Sequence, residues 1–226
     1  VSVAAPAGAL IWCMANLTVG GASLLTHCTG FLDPFARLIG LDGVILTHYD
    51  ADHAGSILNL LTVVGTDRIH MPDVSDSNGI RESIEQAHGD KIEWVSNIKS
   101  WNLKGGNITL YPAKPGVNDN ESSVCVLFQS GNCDILITGD RSSTGEHALL
   151  LEADIPRLEL LIAGHHGSHS ATSLELLAST QPDAVAISVG ENNPYGHPSV
   201  ELLDRLSRCG CRIYRTDLQG TIIFRG

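Results

Sequence analysis

No apolar run in this chain reaches the roughly 18 to 20 residues that a bilayer-spanning helix needs. Internal repeats, low-complexity tracts and linker-like stretches are missing too, which points to one domain over residues 1–226. Basic residues are scarce: 14 Lys and Arg stand against 25 Asp and Glu, a formal net charge of −11. Non-specific adhesion to nucleic acid draws its affinity from Lys and Arg neutralising phosphates, so that mode of binding is disfavoured for this chain on its own. Bound divalent ions would offset part of the acidity and focus positive charge at one place. The N-terminal stretch is apolar and uncharged to about Leu25, yet it has no basic segment and no initiating Met. It is read as neither a signal peptide nor a membrane span, and the start at Val1 as the start of a fragment of a longer chain. Six cysteines are present, but only Cys209 and Cys211 are close-spaced, and no second pair completes a zinc ribbon. All six are read as mostly free thiols.

What the chain does have is a globular composition, with 226 residues, 43% of them hydrophobic and 17% charged. Its mean hydropathy is +0.09. That suits one mixed α/β domain with a substantial core.

The densest chemistry lies in Thr47-His48-Tyr49-Asp50-Ala51-Asp52-His53. His48, Asp50, Asp52 and His53 are metal-competent side chains, delivered directly after the apolar run Val44 to Leu46, which reads as a buried strand. Imidazole nitrogen mixed with carboxylate oxygen suits zinc, manganese or iron better than calcium. The competing reading is a helix cap at Asp52, before a helix from about Gly55 to Val64. One cap needs one carboxylate, and this cluster exceeds that requirement.

The same grammar recurs along the chain. A helix is expected over Leu32 to Leu41, a strand over Arg68 to Pro72, a helix over Gly79 to His88 and a strand over Lys91 to Val95. Strands around Ile108 to Tyr111 and Ser123 to Phe128 lead through Ser130-Gly131-Asn132 into Asp134 to Thr138, a hairpin that ends in Gly139-Asp140. A helix over Glu146 to Ala153 precedes the apolar strand Leu158 to Ala163, which runs into Gly164-His165-His166-Gly167-Ser168-His169. A helix over Ser173 to Ser179 and a strand over Asp183 to Val189 lead to Glu191 to Pro198, which contains His197. The helix Ser199 to Arg208 and strands near Arg212 to Tyr214 and Thr221 to Phe224 complete the chain.

Polar clusters at strand ends of one sheet edge can converge although they are distant in sequence. His70, His88 and His147 fall on or beside expected elements and are read as structural or solvent-facing; the other histidines fall in loops. Adjacent histidines between glycines, as at His165 and His166, suit close approach to a ligand better than packing. Asp140 is equally compatible with an Asx turn, and His197 with a helix N-terminus.

Together, His48-x-Asp50-x-Asp52-His53, Gly139-Asp140 and His165-His166-Gly167-Ser168 resemble the metallo-β-lactamase superfamily. Asn118-Asp119-Asn120, Val189-Gly190-Glu191-Asn192-Asn193-Pro194-Tyr195-Gly196-His197-Pro198 and Tyr214-Arg215-Thr216-Asp217 narrow the resemblance to the domain of that type in the ComEC competence family. It covers about residue 40 to the end. It implies an α/β fold, a four-layer αββα sandwich, with two divalent ions at one edge, Mn2+ or Zn2+. Carried over by position, His48 and Asp50 serve a first metal, Asp52 and His53 a second, and Asp140 bridges them. His165 matches the last ligand, with His166 as the alternative. Asp50 stands where the superfamily usually has a second histidine, and Asn118 or Asp119 stands near the place of an absent third. His27-Cys28-Thr29-Gly30 replaces an Asp-Thr-Gly of the family, and these departures imply a first metal that is weak, exchangeable or absent.

The implied activity is phosphodiester hydrolysis, with single-stranded DNA as substrate. Asp52 and Asp140 would hold a water, while His166, His169 or His197 would steady the phosphate or protonate the leaving oxygen. In such proteins the domain follows a channel in the bacterial plasma membrane, and is expected on the extracytoplasmic face, degrading the strand that is not transported. Two other readings stay open: a small-molecule phosphodiesterase, and a metal-poor docking domain beside the channel.

Overall fold

The structure is a computed structural model describing residues 2–4, 14–19, 22–25, 43–63, 65–103, 106–114 and 120–224. In chain order the first strands are β1 (Ser2–Ala4), β2 (Met14–Val19), β3 (Ala22–Leu25) and β4 (Gly43–Ile45). Then come α1 (Ala51–Ala54), α2 (Ile57–Val63), β5 (Ile69–Pro72), α3 (Ile80–His88) and β6 (Ile92–Val95). An antiparallel run follows: β7 (Lys99–Leu103), β8 (Gly106–Tyr111), β9 (Cys125–Ser130) and β10 (Cys133–Ile137). The last third alternates: α4 (Ser143–Glu152), β11 (Leu160–Ile162), α5 (Leu174–Thr180), β12 (Ala184–Ile187), α6 (Val200–Cys209), β13 (Arg212–Arg215), α7 (Thr216–Gln219) and β14 (Ile222–Ile223).

Two seven-stranded sheets result, ordered β14-β1-β2-β3-β4-β5-β6 and β13-β12-β11-β10-β9-β8-β7. Each is half antiparallel and half parallel. Strands β3 to β6 pair in parallel, as do β10 to β13. Parallel neighbours need crossovers, and these carry the helices: α1 to α3 in the first sheet and α4 to α6 in the second.

Side-chain alternation explains why the sheets stack. On β10, Ile135 and Ile137 join a core with Val44, Ile69 and Val95 of the other sheet. Leu136, between them, points the opposite way, to Leu149, Leu176 and Leu202 of α4, α5 and α6. Strands β11 and β12 divide their residues in the same manner, with Leu160 and Ala186 inward and Leu161 and Val185 outward. A strand apolar on both faces must be covered on both faces. Hence the four-layer αββα sandwich, in which each fully buried Leu or Ile contributes roughly 1.5–3 kcal/mol. Helices α4, α5 and α6 begin on serine caps: Ser142 accepts from the Thr144 amide, Ser173 from Leu176 and Ser199 from Leu202.

Several expectations are corrected by the structure. The helix expected over residues 55–64 is found as α2, beginning at Ile57, and a separate short helix, α1, precedes it across Gly55 and Ser56. Asp52 is the second residue of α1, not its cap; Asp50 holds the cap position, and its side chain makes no cap hydrogen bond. Strand β7 was not expected, because Lys99-Ser100-Trp101-Asn102-Leu103 lacks an apolar run; among the described residues it is an edge strand paired with β8 alone. Neither were β1, β2 and α7. The strand expected over residues 221–224 shrinks to β14, paired with β1. The helix expected over 32–41 lies outside the described residues, as do His27, Cys13 and Cys28. Cys125, Cys133, Cys209 and Cys211 are free thiols.

Candidate metal centre

Three backbone segments leave the two sheets at a common end. The first continues β4. The Leu46 amide donates to His70 O at 2.9 Å, and Thr47 O accepts from the Val124 amide, just before β9 of the other sheet, at 2.7 Å, so the chain is pinned between the sheets where His48 begins. Thr47 Oγ1 lies 3.1 Å from His48 Nδ1 and turns His48 Nε2 toward the cluster. One turn of α1 then presents Asp52 and the buried His53.

The second segment follows β10. Gly139 sits at φ +62, and a Cβ there would lie 2.7 Å from Ser123 Cβ. Only glycine permits that approach, which lets the Asp140 amide donate to Ser123 Oγ at 3.1 Å. Asp140 is thereby held in the interior, 3% exposed.

The third follows β11 as a tight turn, Gly164–Gly167, in which His165 and His166 both adopt left-handed φ, 48° and 53°. Such backbone costs about 1–2 kcal/mol per non-glycine residue. The surroundings hold it: the His165 amide donates to Gly139 O at 3.1 Å, and the Ser168 amide to His165 O at 2.9 Å. His166 Nδ1 lies 3.0 Å from Ser188 O, leaving Nε2 to face inward. Strain concentrated on two adjacent imidazoles is a functional signal, because packing alone would not require it.

What these segments bring together is compact. Asp140 Oδ1 lies 3.2 Å from His53 Nε2, and Asp140 Oδ2 lies 3.7 Å from both His48 Nε2 and His165 Nε2. His166 Nε2 lies 3.2 Å from Asp52 Oδ2 and 3.0 Å from His53 Nε2. Asp50 Oδ2 lies 3.7 Å from His48 Nε2. Ligands about 2.0–2.1 Å from a shared tetrahedral ion sit roughly 3.3 Å from one another. The set His48, His53, Asp140 and the set Asp52, His53, His166 both fall within reach of an ion, and the spacing and donor types fit a divalent transition metal. Ile137, Ile162 and Ala163 line the floor with apolar surface, which keeps the local dielectric low.

The charges are mutually supporting. Burial opposes ionisation of Asp140, but the positive charge of and hydrogen bond from His53, with the charges of His48 and His166, hold its carboxyl well below the usual range. Burial likewise opposes Asp52, and the His166 hydrogen bond with the charge of His53 brings it down to about 2. His166 is raised: burial disfavours its cation, and Asp52 and Asp140 outweigh that effect. Carboxylates kept ionised are carboxylates ready to ligate.

Behind the histidine turn stands a support absent from the sequence reading. Glu146 of α4, fully buried, accepts from the amides of Thr172 at 2.6 Å and Ser173 at 2.8 Å. Thr172 Oγ1 in turn accepts from the Gly164 amide at 3.0 Å. Burial pushes the Glu146 carboxyl from 4.5 up to about 7, against the lowering effect of those amides. The folded chain thus holds this proton more tightly than the unfolded one. Its contribution to stability is complete below 4.5 and is lost as pH rises through about 7. The stability of the parent relative to Glu146→Gln, from urea midpoints in chelator, is therefore expected to fall between about pH 5 and about pH 8. A constant difference over that range would contradict the assignment.

Of the other anticipated residues, His197 is half-buried, its ring 5.8 Å from that of His165. Burial and the neighbouring charges of His165 and His166 lower its pKa. His169 is exposed; its carbonyl, rather than its ring, is engaged, accepting from Arg205. Asn118 and Asp119 lie outside the described residues, but Asn120 is placed with its amide 3.3 Å from His165 Nδ1. The anticipated convergence at one sheet edge is corrected: His48 to His53 extend a strand of one sheet, and Asp140, His165 and His166 extend strands of the other.

The chain is similar to known proteins in fold and in sequence. The metallo-beta-lactamase fold protein YhfI from Bacillus subtilis superposes with a TM-score of 0.62, covering 95% of this chain and 94% of that one at 13% identity, a likeness of fold. In sequence, ComE operon protein 3 of Bacillus subtilis (strain 168) is 32% identical over 202 residues, 86% of this chain and 26% of that protein. Competence protein ComA of Neisseria gonorrhoeae is 27% identical over 187 residues, 81% of this chain and 25% of that protein. The chain thus spans about a quarter of the length of the curated relatives it matches. The family model described as Metallo-beta-lactamase superfamily matches residues 36–191, more than half of the sequence, and the chain belongs to that superfamily.

Proposed function

We propose that this chain is a metal-dependent phosphodiester hydrolase whose substrate is DNA, degrading the strand that is not carried inward during DNA uptake. The observation that carries the reading is the convergence of His48, His53, His166, Asp52 and Asp140 at one end of the sandwich. Asp52, His53 and His166 would hold one ion, and His48 with Asp50 the other, with Asp140 between them. When bound, such a pair supplies Lewis acidity that acidifies water and offsets charge on a phosphate.

The chain's own residues do the rest. Asp52 and Asp140, kept ionised, hold and orient a water molecule and accept its hydrogen bonds. Ser188 O fixes the orientation of the His166 ring, as outer partners of metal-ligating histidines generally do. His197, on the open side of His165, still carries one N–H when neutral and is placed to steady a phosphate oxygen or protonate the leaving oxygen. The exposure of His169 leaves it a lesser part at the mouth. The printed names of the relatives, ComE operon protein 3 and competence protein ComA, support a place in DNA uptake. The quarter of those proteins that the chain spans supports a place within a longer protein, which we read as a plasma-membrane protein with a DNA channel and with this domain on its extracytoplasmic face.

The test is cleavage of single-stranded DNA by the purified chain with Mn2+ or Zn2+, beside an Asp52→Ala control. Cleavage by the parent and a loss of about 10² to 10⁴ in the variant is expected. Equal cleavage in both, or in neither, overturns the reading.

A further inference from the structure

Tyr195 is a large aromatic side chain left 70% exposed, beside a site lined with histidines. Its ring lies 6.0 Å from that of His197 at an interplanar angle of 23°, a stacked pair, and the His197 ring in turn lies 5.8 Å from that of His165. His165 Nε2 is 3.7 Å from Asp140 Oδ2. A stepped row of rings therefore runs from the candidate metal centre to the surface, with Tyr195 at its outer end.

The loop that carries it is built rigidly. Asn193 is its hub: Oδ1 accepts from the Tyr195 amide at 3.2 Å and the His197 amide at 3.0 Å. The Asn193 amide group donates to Gly190 O at 3.2 Å and to His197 O at 2.5 Å. Pro198 packs on Gly167, where an added Cβ would come within 2.7 Å, so the loop is locked against the histidine turn. An exposed tyrosine on a floppy tip would need no explanation. One held by an internal hydrogen-bond hub, in register with the site, is preorganised for a flat partner.

We propose that Tyr195 is a stacking platform for a nucleobase next to the phosphodiester in the metal centre, and that it makes the site selective for single strands. The proposal rests on the hydrolase reading for its substrate class. Three observations favour a base over other occupants. The remaining ring face is open to solvent, the neighbouring ring already shows parallel stacking, and the net charge of −11 leaves the chain poorly suited to grip a strand by phosphate pairing. Base stacking on an aromatic side chain contributes affinity through the ring faces, without drawing on phosphate pairing. A base within a duplex has both faces covered by its neighbours, so only single-stranded or frayed DNA can use the platform.

The test compares the parent, Tyr195→Ala and Tyr195→Phe, all metal-loaded, for binding to single-stranded oligodeoxynucleotides carrying the fluorescent base 2-aminopurine. A strand of the same length made of abasic tetrahydrofuran phosphodiesters carries identical charge and serves as the reference, and the matching duplex is a third ligand. The parent is expected to prefer the base-bearing strand by about 5- to 150-fold, the range of one base–aromatic stack, and to quench 2-aminopurine. Tyr195→Ala should lose the preference and the quenching while binding the abasic strand and the duplex as before. Tyr195→Phe should keep both. Unchanged melting temperatures confirm that the exposed substitutions leave the fold intact. A preference equal in the parent and Tyr195→Ala, no preference in the parent, or no binding of either strand overturns the platform. Cleavage is scored separately: base preference lost in Tyr195→Ala without cleavage by the parent refutes the nuclease and leaves the platform standing, and cleavage with unaltered preference does the reverse.

Discussion

Asp140→Asn is expected to lower the proposed DNA hydrolysis by about a thousandfold or more, because the Lewis-acid stabilisation of several kcal/mol that bound metal would supply would depend on this carboxylate, and each 1.36 kcal/mol is tenfold in rate. Asp140 faces both halves of the site, with Oδ1 toward His53 and Oδ2 toward His48 and His165. Asparagine keeps the shape of the side chain and the hydrogen bond that the backbone amide of residue 140 donates to Ser123 Oγ, so the fold should survive while the proposed bridge is lost. The change should also show without metal. Removing one charge from a buried set typically costs about 3–5 kcal/mol. Because the Asp140 carboxyl lies well below its ordinary value of 3.8, its contribution to stability is present above that pH and is lost only as pH falls below it. In chelator near neutral pH the variant should therefore melt lower than the parent. Two bound ions with parental activity in Asp140→Asn would refute the bridging role.

The second large effect separates the two histidines that the sequence leaves as alternatives. His166→Ala should lose one ion and weaken retention of that metal by more than the 10- to 100-fold typical of an outer partner. His166 is buried, anchored through Nδ1 on Ser188 O, and its Nε2 closes a triad with Asp52 and His53. His165→Ala should keep that ion. His165 is half-buried and sits against Asn120, so its loss should act on the first metal and on substrate contacts, within about tenfold on retention of the second. Metal content after gel filtration and calorimetric titration measure both variants. The opposite order, with His165 indispensable to the Asp52 ion, would exchange the two roles.

The His48 to His53 cluster was legible because its information is local. Strand β4, one turn of α1 and four ligand-type residues are neighbours in the chain, so composition and spacing expose them without any tertiary contact. The apolar runs of β10, β11 and β12 were legible for a related reason: strands covered on both faces are apolar at every position. Strand β7 was hidden by its position at an edge, where Lys99 and Asn102 meet no demand for burial and, among the described residues, pairing to β8 alone makes the strand. Glu146 was hidden because a glutamate in a helix reads as solvated surface, and only the packing of α4 against the start of α5 reveals it as buried.

By itself the sequence determined the chemical inventory: ligand-type oxygen and nitrogen side chains, delivered at strand ends in a mixed α/β chain of excess negative charge. Ligand type and strand periodicity are properties of single residues and near neighbours, which the chain carries wherever it is placed. Tertiary structure alone decided which sheet supplies which ligand, that His166 rather than His165 closes on Asp52, and that Tyr195 is the outer end of a row of rings. Those outcomes depend on pairing between strands far apart in sequence. They depend equally on left-handed backbone at His165 and His166, a strain no local propensity favours and only the surrounding hydrogen bonds sustain.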